Sequence, residues 1–323
     1  MKSLVARRAV VAVVLACSWA TNAIAQTWPA KPVHLVVAFT AGSATDIIAR
    51  AVGDTLSKSL GQPVVIDNRP GAGGTIAAAS VAKADPDGYT FLIHSAGHAV
   101  NPAIYPNLPY DTAKDFSGVS PLANLPNVLV VPPGRYKNVQ EIVTAARTNP
   151  GKLNFGSAGN GSATHMNAEK FRASAGFDAL HIPFKGTPEA LSETMSGRLD
   201  FFFAPIVSAL QLIKEGKLTA LAVGTPKRVA LLPEIPSTVE LGFPGSDFNF
   251  WIGLFAPAKT PREIIDRMNM ELTKALQSAD VRERFAALGA EPFPMKPEAF
   301  DTYVRSEIEL NGRIVKAAGI KVN

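Results

Sequence analysis

The chain has 323 residues, 47% of them hydrophobic and 18% charged, with a formal net charge of +5. That composition supports a packed core and excludes a disordered or low-complexity chain. It does not favour nucleic acid: removing Lys2, Arg7 and Arg8 from the 32 basic residues leaves 29 against 27 acidic ones, a net of +2, and the basic residues are scattered.

Lys2, Arg7 and Arg8 precede an apolar run from Ala9 to Ala16, and Ala23-Ile24-Ala25 supplies a small-x-small cleavage pattern. Residues 1–25 therefore read as a secretory signal peptide. The run is shorter than the ~20 residues a bilayer crossing needs. Leu15-Ala16-Cys17 offers a looser lipoprotein site as the alternative. Cys17 is the one cysteine and leaves with the leader, which removes disulfide, thiol and thiolate chemistry from the mature chain.

Short apolar runs then alternate with helical spacing, the pattern of α/β lobes with mainly parallel sheets. Val33–Phe39 reads as a buried strand, 46–60 as a helix, 64–67 as a strand, 75–84 as a helix and 90–94 as a strand. A second lobe begins near Asn127. Its strands are expected at 127–131, 153–155, 181–184, 200–204 and 218–223, and its helices at 139–147, 162–174, 188–196 and 207–215. The apolar string 248–257 reads as the strand returning to the first lobe, and the tail from Pro261 as three helices packing there. The expected division is residues 26–126 plus 249–323 in lobe 1 and 127–248 in lobe 2, a lobe interrupted by another, as in hinged binding proteins.

Four strand-to-helix junctions share one composition: Thr40-Ala41-Gly42-Ser43-Ala44-Thr45, Gly71-Ala72-Gly73-Gly74-Thr75, Gly156-Ser157-Ala158-Gly159-Asn160-Gly161-Ser162, and Lys185-Gly186-Thr187-Pro188. Ligands of open α/β sheets sit at this strand edge. Free N–H groups of a first helical turn, at the positive end of the helix dipole, bind anions without a charged side chain. Ser43 with Asp46 fits a capping box, and Thr187-Pro188 a cap with Pro at the first helical position. Any one such loop is ordinary turn chemistry; four of them, two per lobe, place anion sites on both sides of a cleft. The ligand-contact set is therefore Thr40, Ala41, Gly42, Ser43, Thr45, Asp46, Ala72, Gly73, Gly74, Ser95, Ser157, Gly159, Asn160, Ser162, His165, Phe184, Lys185, Gly186 and Thr187, with His98, Phe203, Ala204 and Trp251 as wall residues.

Catalytic motifs are missing. The glycine-rich loops lack Gly-x-Gly-x-x-Gly spacing, no phosphate loop occurs, and no serine sits in a Gly-x-Ser-x-Gly elbow. His94 and His98 are four apart but flank a loop-like Ser95-Ala96-Gly97 with no acidic neighbour, so neither metal nor cofactor is expected. Asp46, Asp200 and Asp247 lie nearest the loops and suit capping or turn roles over general-base roles.

Several motifs in order resemble the Bug family, the extracytoplasmic receptors of tripartite tricarboxylate transporters, across essentially the whole mature chain. They are Trp28-Pro29-Ala30-Lys31-Pro32, Asp67-Asn68-Arg69-Pro70-Gly71-Ala72-Gly73-Gly74, Ala84-Asp85-Pro86-Asp87-Gly88-Tyr89-Thr90, Leu153-Asn154-Phe155-Gly156-Ser157 with Gly161-Ser162 and His165, His181-Ile182-Pro183-Phe184-Lys185-Gly186, the run 218–223 with Leu232-Pro233, and Lys316-Ala317-Ala318-Gly319-Ile320-Lys321. The resemblance implies a type II periplasmic-binding-protein fold that closes on its ligand, a carboxylate held by the loop after the first strand, partly through water, and a membrane permease as partner. Where the family usually has Pro-Pro-Gly-Gly, this chain has Thr40, Ala41, Gly42 and Ser43, while Asp46 is kept. Phe155 and Phe184 stand where Tyr is common, which leaves room for an aromatic acid.

The resulting expectation is a monomeric periplasmic solute-binding protein for a small mono- or dicarboxylate, with no catalytic residues. The alternatives are a receptor reporting ligand to a signalling partner, and a two-lobed hydrolase or transferase.

Overall fold

The computed structural model describes residues 28–320, so the signal-peptide and Cys17 readings lie outside the described residues. The first unit runs β1 (Val33–Val37), α1 (Ala44–Leu60), β2 (Val64–Asn68), α2 (Thr75–Ala82), β3 (Thr90–Ser95), α3 (Gly97–Ile104) and β4 (Phe116–Leu125). Then come β5 (Asn127–Val131), α4 (Val139–Thr148), β6 (Asn154–Ser157), α5 (Ala163–Ala175), β7 (Leu180–Pro183), α6 (Thr187–Met195), β8 (Phe201–Pro205), α7 (Ile206–Lys214) and β9 (Thr219–Val223). The chain returns through β10 (Phe250–Pro257), α8 (Arg262–Gln277), α9 (Ala279–Leu288), β11 (Glu291–Pro292) and α10 (Pro297–Ala318).

These strands form two sheets, ordered β11-β4-β10-β3-β1-β2 and β7-β6-β8-β5-β9. Parallel pairing is confined to β2-β1-β3 and β7-β6-β8; β10, β4 and β11, and β5 with both neighbours, pair antiparallel. The expectation of mainly parallel sheets is corrected here for a topological reason. Only Pro126 separates β4 from β5, so the chain passes straight from one sheet into the other instead of returning through a helix, and β10 carries it back.

Strand parity builds the cores. In β5, Leu129 and Val131 face α4 and α5, while Val128 and Val130 face the side covered by α6 and α7; β8 divides Phe201 and Phe203 from Phe202 and Ala204 in the same way. The first lobe's core centres on Phe91, Leu92, Ile93, Leu254 and Phe255, each at most 1% exposed. Burying a side chain of this size contributes about 1.5–3 kcal/mol. That same core takes in Ala158, Ala163 and Met166 of the second lobe, so the lobes are packed together and the cleft is closed. Sequence spacing missed α3, which carries Pro102 inside it, and β4, which carries Pro121 where its register with β10 shifts.

Candidate ligand-binding site

The four predicted loops meet. The Thr187 N–H donates across the cleft to Ser43 Oγ at 3.0 Å, and Thr40 Oγ1 donates to Glu189 Oε2 at 3.2 Å. Tyr105 Oη donates to the Asn160 carbonyl at 3.1 Å, and Ser208 Oγ to the Gly42 carbonyl at 3.3 Å. Contact is close enough to require glycine twice. A Cβ on Gly186 would lie 1.8 Å from Thr40 Oγ1, and one on Gly73 would lie 2.0 Å from the Asn160 carbonyl oxygen.

Behind these contacts lies a buried cavity of about 20 Å³ whose walls include the starts of two helices, Ser43-Ala44-Thr45 of α1 and Ser162-Ala163-Thr164 of α5. An α-helix leaves its first N–H groups without intrahelical acceptors. At α1 no side chain caps them, so the N–H groups of Ala44, Thr45 and Asp46 are free among the described residues. At α5, the one backbone N–H that Ser162 Oγ accepts is that of His165, leaving those of Ala163 and Thr164. The Thr45 hydroxyl is buried without a partner, Ser95 and Thr187 complete the polar wall, and Phe39, Pro205 and Phe250 close the rest. No ionised side chain lines the cavity. Two converging helix dipoles with bare N–H groups are a site for an anion, each terminus contributing about 0.3–1 kcal/mol and up to about 2 when dehydrated.

The expected capping box at Ser43 is not formed, because the hydroxyl is taken by Thr187 from the other lobe. The Asp46 side chain is scaffold and does not line the cavity. Its carboxylate accepts from the Gly42 N–H at 2.9 Å, from Arg50 Nε at 3.0 Å and from Asn68 Nδ2 at 3.0 Å, which pins the 40–45 loop to β2. Burial alone would raise its pKa; Arg50, Gly42 and Asn68 outweigh that and hold it below the usual carboxylate value. With its charge met by Arg50, it does not repel an anion at the same helix start.

The 157–162 loop is held from behind by two stacked imidazoles, His165 and His181, with ring centroids 3.9 Å apart. His165 Nδ1 accepts the Gly161 N–H at 3.1 Å, and Ser157 Oγ, 2.6 Å from His181 Nε2, accepts the Gly159 N–H at 3.0 Å. Burial pushes His181 down to about 4 and His165 well below its ordinary value, so both are neutral supports. Ala72, Gly73, Gly159, Asn160, Phe184 and Lys185 line a groove of about 500 Å³ at the cleft mouth, outside the buried cavity. Ala41 and Gly42 are exposed at the rim, and Gly74 abuts His94, whose Nε2 would lie 2.2 Å from a Cβ there.

None of the four expected wall residues lines this cavity. His98 is fully buried between Phe116 and Phe255, with ring centroids at 4.8 and 4.7 Å. Phe203 and Ala204 belong to the two internal cores of the second lobe, and Trp251 turns inward to donate from Nε1 to Glu307 Oε2 at 3.1 Å. The cavity is walled instead by Pro205 and Phe250, one residue away from Ala204 and Trp251, since strand neighbours point to opposite faces. Phe155 also lies in a core, stacked on Phe201, so the aromatic walls are Phe39 and Phe250. Of the first-turn residues at the cavity, Ala44 lies in the expected 40–45 junction, while Ala163 and Thr164 follow directly on the expected 156–162 junction; Tyr105, Glu189 and Ser208 gave no sequence signal.

Residues 48–320 match the model of the tripartite tricarboxylate transporter family receptor. A relative from Pseudomonas sp. (strain P51), the UPF0065 protein in the tcbD-tcbE intergenic region, is 40% identical over 284 residues, 87% of this chain and 84% of its own. Among solved structures, R. palustris Rpa4515 with adipate superposes with a TM-score of 0.88 at 36% identity, covering 91% of this chain and 99% of that one. MatC from Rhodopseudomonas palustris with bound malate gives 0.85 at 34% identity, covering 89% and 100%. With a family match spanning most of its length and the same two-lobed fold, the chain belongs to the tripartite tricarboxylate transporter receptor family.

Proposed function

We propose that this protein is a periplasmic solute-binding receptor that closes on a small mono- or dicarboxylate and delivers it, chemically unchanged, to a membrane permease of the tripartite tricarboxylate type. The observation that carries the reading is the pair of helix starts, α1 uncapped and α5 capped only at the His165 N–H, converging on one buried cavity with an unpartnered Thr45 hydroxyl and no cationic side chain. Family membership supports it, as do relatives solved with adipate and with malate. In this reading residues 1–25 are the export signal, residues 26–126 plus 249–323 form one lobe, residues 127–248 form the other, and the receptor acts as a monomer. The N–H groups of Ala44, Thr45, Asp46, Ala163 and Thr164 and the hydroxyls of Thr45 and Thr187 hold the carboxylate, while Ser43, Asp46, Ser157, Ser162 and His165 hold the loops.

A thermal-shift screen over aliphatic, hydroxy and aromatic acids, with sugars and amines as controls, tests it. A true ligand at a hundred times its Kd adds about 2.7 kcal/mol of stability and is recovered intact by mass spectrometry. Hits confined to neutral or cationic solutes, or a ligand recovered chemically altered, overturn it.

A further inference from the structure

A second, much larger cavity lies behind the hinge. It measures about 760 Å³ and is walled by residues of both lobes, among them Leu125, Ile206, Val229, Leu231, Phe248 and Ala286. That volume falls in the usual range of ligand pockets, about 300–1,000 Å³. Phe250 is the one residue that lines both this cavity and the carboxylate cavity, and the β8–α7 junction divides beside it, Pro205 facing the front and Ile206 the back.

The front cavity, at about 20 Å³, holds roughly one water. A ligand therefore needs a wall to move. Most front walls are backbone or short side chains, and Phe39 is held edge-on against His94 at 5.5 Å. Phe250 packs against no other aromatic ring among the described residues, and open space lies on its far side. Turning its ring into the back cavity, which is open on one side, sets it among Leu125, Ile206, Val229, Leu231 and Phe248, with Arg228, Asp247, Arg282 and Glu291 at the remaining wall.

We propose that Phe250 is a movable partition and that the ligand class is an acid with an apolar tail, alkyl or aryl. Its carboxylate sits at the two helix starts and its tail passes Phe250 into the hinge cavity. This rests on the carboxylate reading above and adds the substrate class and the residue that selects it.

Calorimetric titration of butyrate, hexanoate, octanoate and 4-phenylbutyrate tests it, in the unaltered protein and in Phe250→Ala, Phe250→Trp and Ala286→Phe. Each methylene moved from water into the cavity is worth about four-fold in affinity. The readout is the octanoate-to-butyrate affinity ratio. Phe250→Ala is expected to raise it at least ten-fold and Phe250→Trp to lower it. Ala286→Phe, an exposed helix position that fills the back cavity, is expected to lower it at least five-fold. Butyrate binding with the ratio within two-fold of the unaltered protein in all three variants overturns the partition and leaves the carboxylate reading standing. No binding by any of these acids in any variant overturns the partition, and failure of malate and adipate to bind as well overturns both.

Discussion

Gly186→Ala isolates lobe closure from folding. Gly186 has φ −172° and ψ −179°, an extended conformation that alanine adopts without strain. The three atoms nearest the added Cβ all belong to the other lobe: Thr40 Oγ1 at 1.8 Å, Ser43 Oγ at 2.7 Å and Thr40 Cβ at 3.0 Å. Thr40 and Ser43 must move, which breaks the Thr187 N–H bond to Ser43 and the Thr40 bond to Glu189. At about 1 kcal/mol for each bond, with the freed N–H left buried, the closed form loses about 2–3 kcal/mol. Closure and apparent ligand affinity should then fall about 30- to 150-fold, because a binding-competent state that is rarely populated lowers affinity in proportion. Calorimetry measures the affinity, and small-angle scattering measures whether ligand still compacts the protein. Thr40→Ala placed on top removes the nearest clashing atom, so the double variant should bind more tightly than Gly186→Ala alone. Affinity within three-fold of the parent, or no recovery in the double variant, would refute the face-to-face contact as the closed state.

Thr45→Val keeps the side-chain shape while removing a buried hydroxyl that has no partner. The ligand-free melting temperature should hold or rise, and carboxylate affinity should drop about ten-fold or more; unchanged affinity places the ligand elsewhere. Asn167→Ala strands the Asn127 amide and the Ser246 carbonyl, bonded to it at 3.2 and 2.9 Å, and should cost about 2–3 kcal/mol in urea unfolding at constant m. Burial pushes His94 and His181 down to about 4 and His98 and His165 well below the ordinary value. The unfolded chain therefore holds more protons than the folded one below about pH 6.5. Stability should fall from there toward pH 4 by up to about 1.4 kcal/mol per pH unit for each histidine, and a flat urea midpoint between pH 7 and 4.5 would contradict their burial.

What was legible in the sequence was local. Ala44, Thr75, Ala163 and Thr187 begin helices where Gly, Ser and Thr follow apolar runs, and β5 matched residue for residue because its apolar run is bounded by Pro126 and by Pro132-Pro133. What escaped depends on partners far along the chain. Ser43 has the composition of a cap, yet its hydroxyl serves Thr187, 144 positions away, and no local pattern encodes that competition. His98 reads as polar until Tyr110, Phe116 and Phe255 are packed around it. Trp251 and Ala204 stand one residue out of phase with the cavity-lining Phe250 and Pro205, and in a strand one residue moves a side chain from the cavity wall to the interior.

The arrangement of donors bears on what kind of receptor this is. A carboxylate offers about four lone-pair sites. The free N–H groups at the cavity are divided between Ala44, Thr45 and Asp46 on one lobe and Ala163 and Thr164 on the other. Neither set saturates an anion alone, so in the proposed reading a bound carboxylate is completed only when both helix starts reach it. The differential affinity that drives closure is then built into the ligand's first coordination shell and needs no long-range relay. Neutral donors also set no charge requirement beyond that one carboxylate. In that reading discrimination among acids falls to Phe39, Pro205 and Phe250, the large apolar residues of the cavity wall. On this reading, substitutions at those three wall residues are expected to change which acid binds while leaving both helix starts intact.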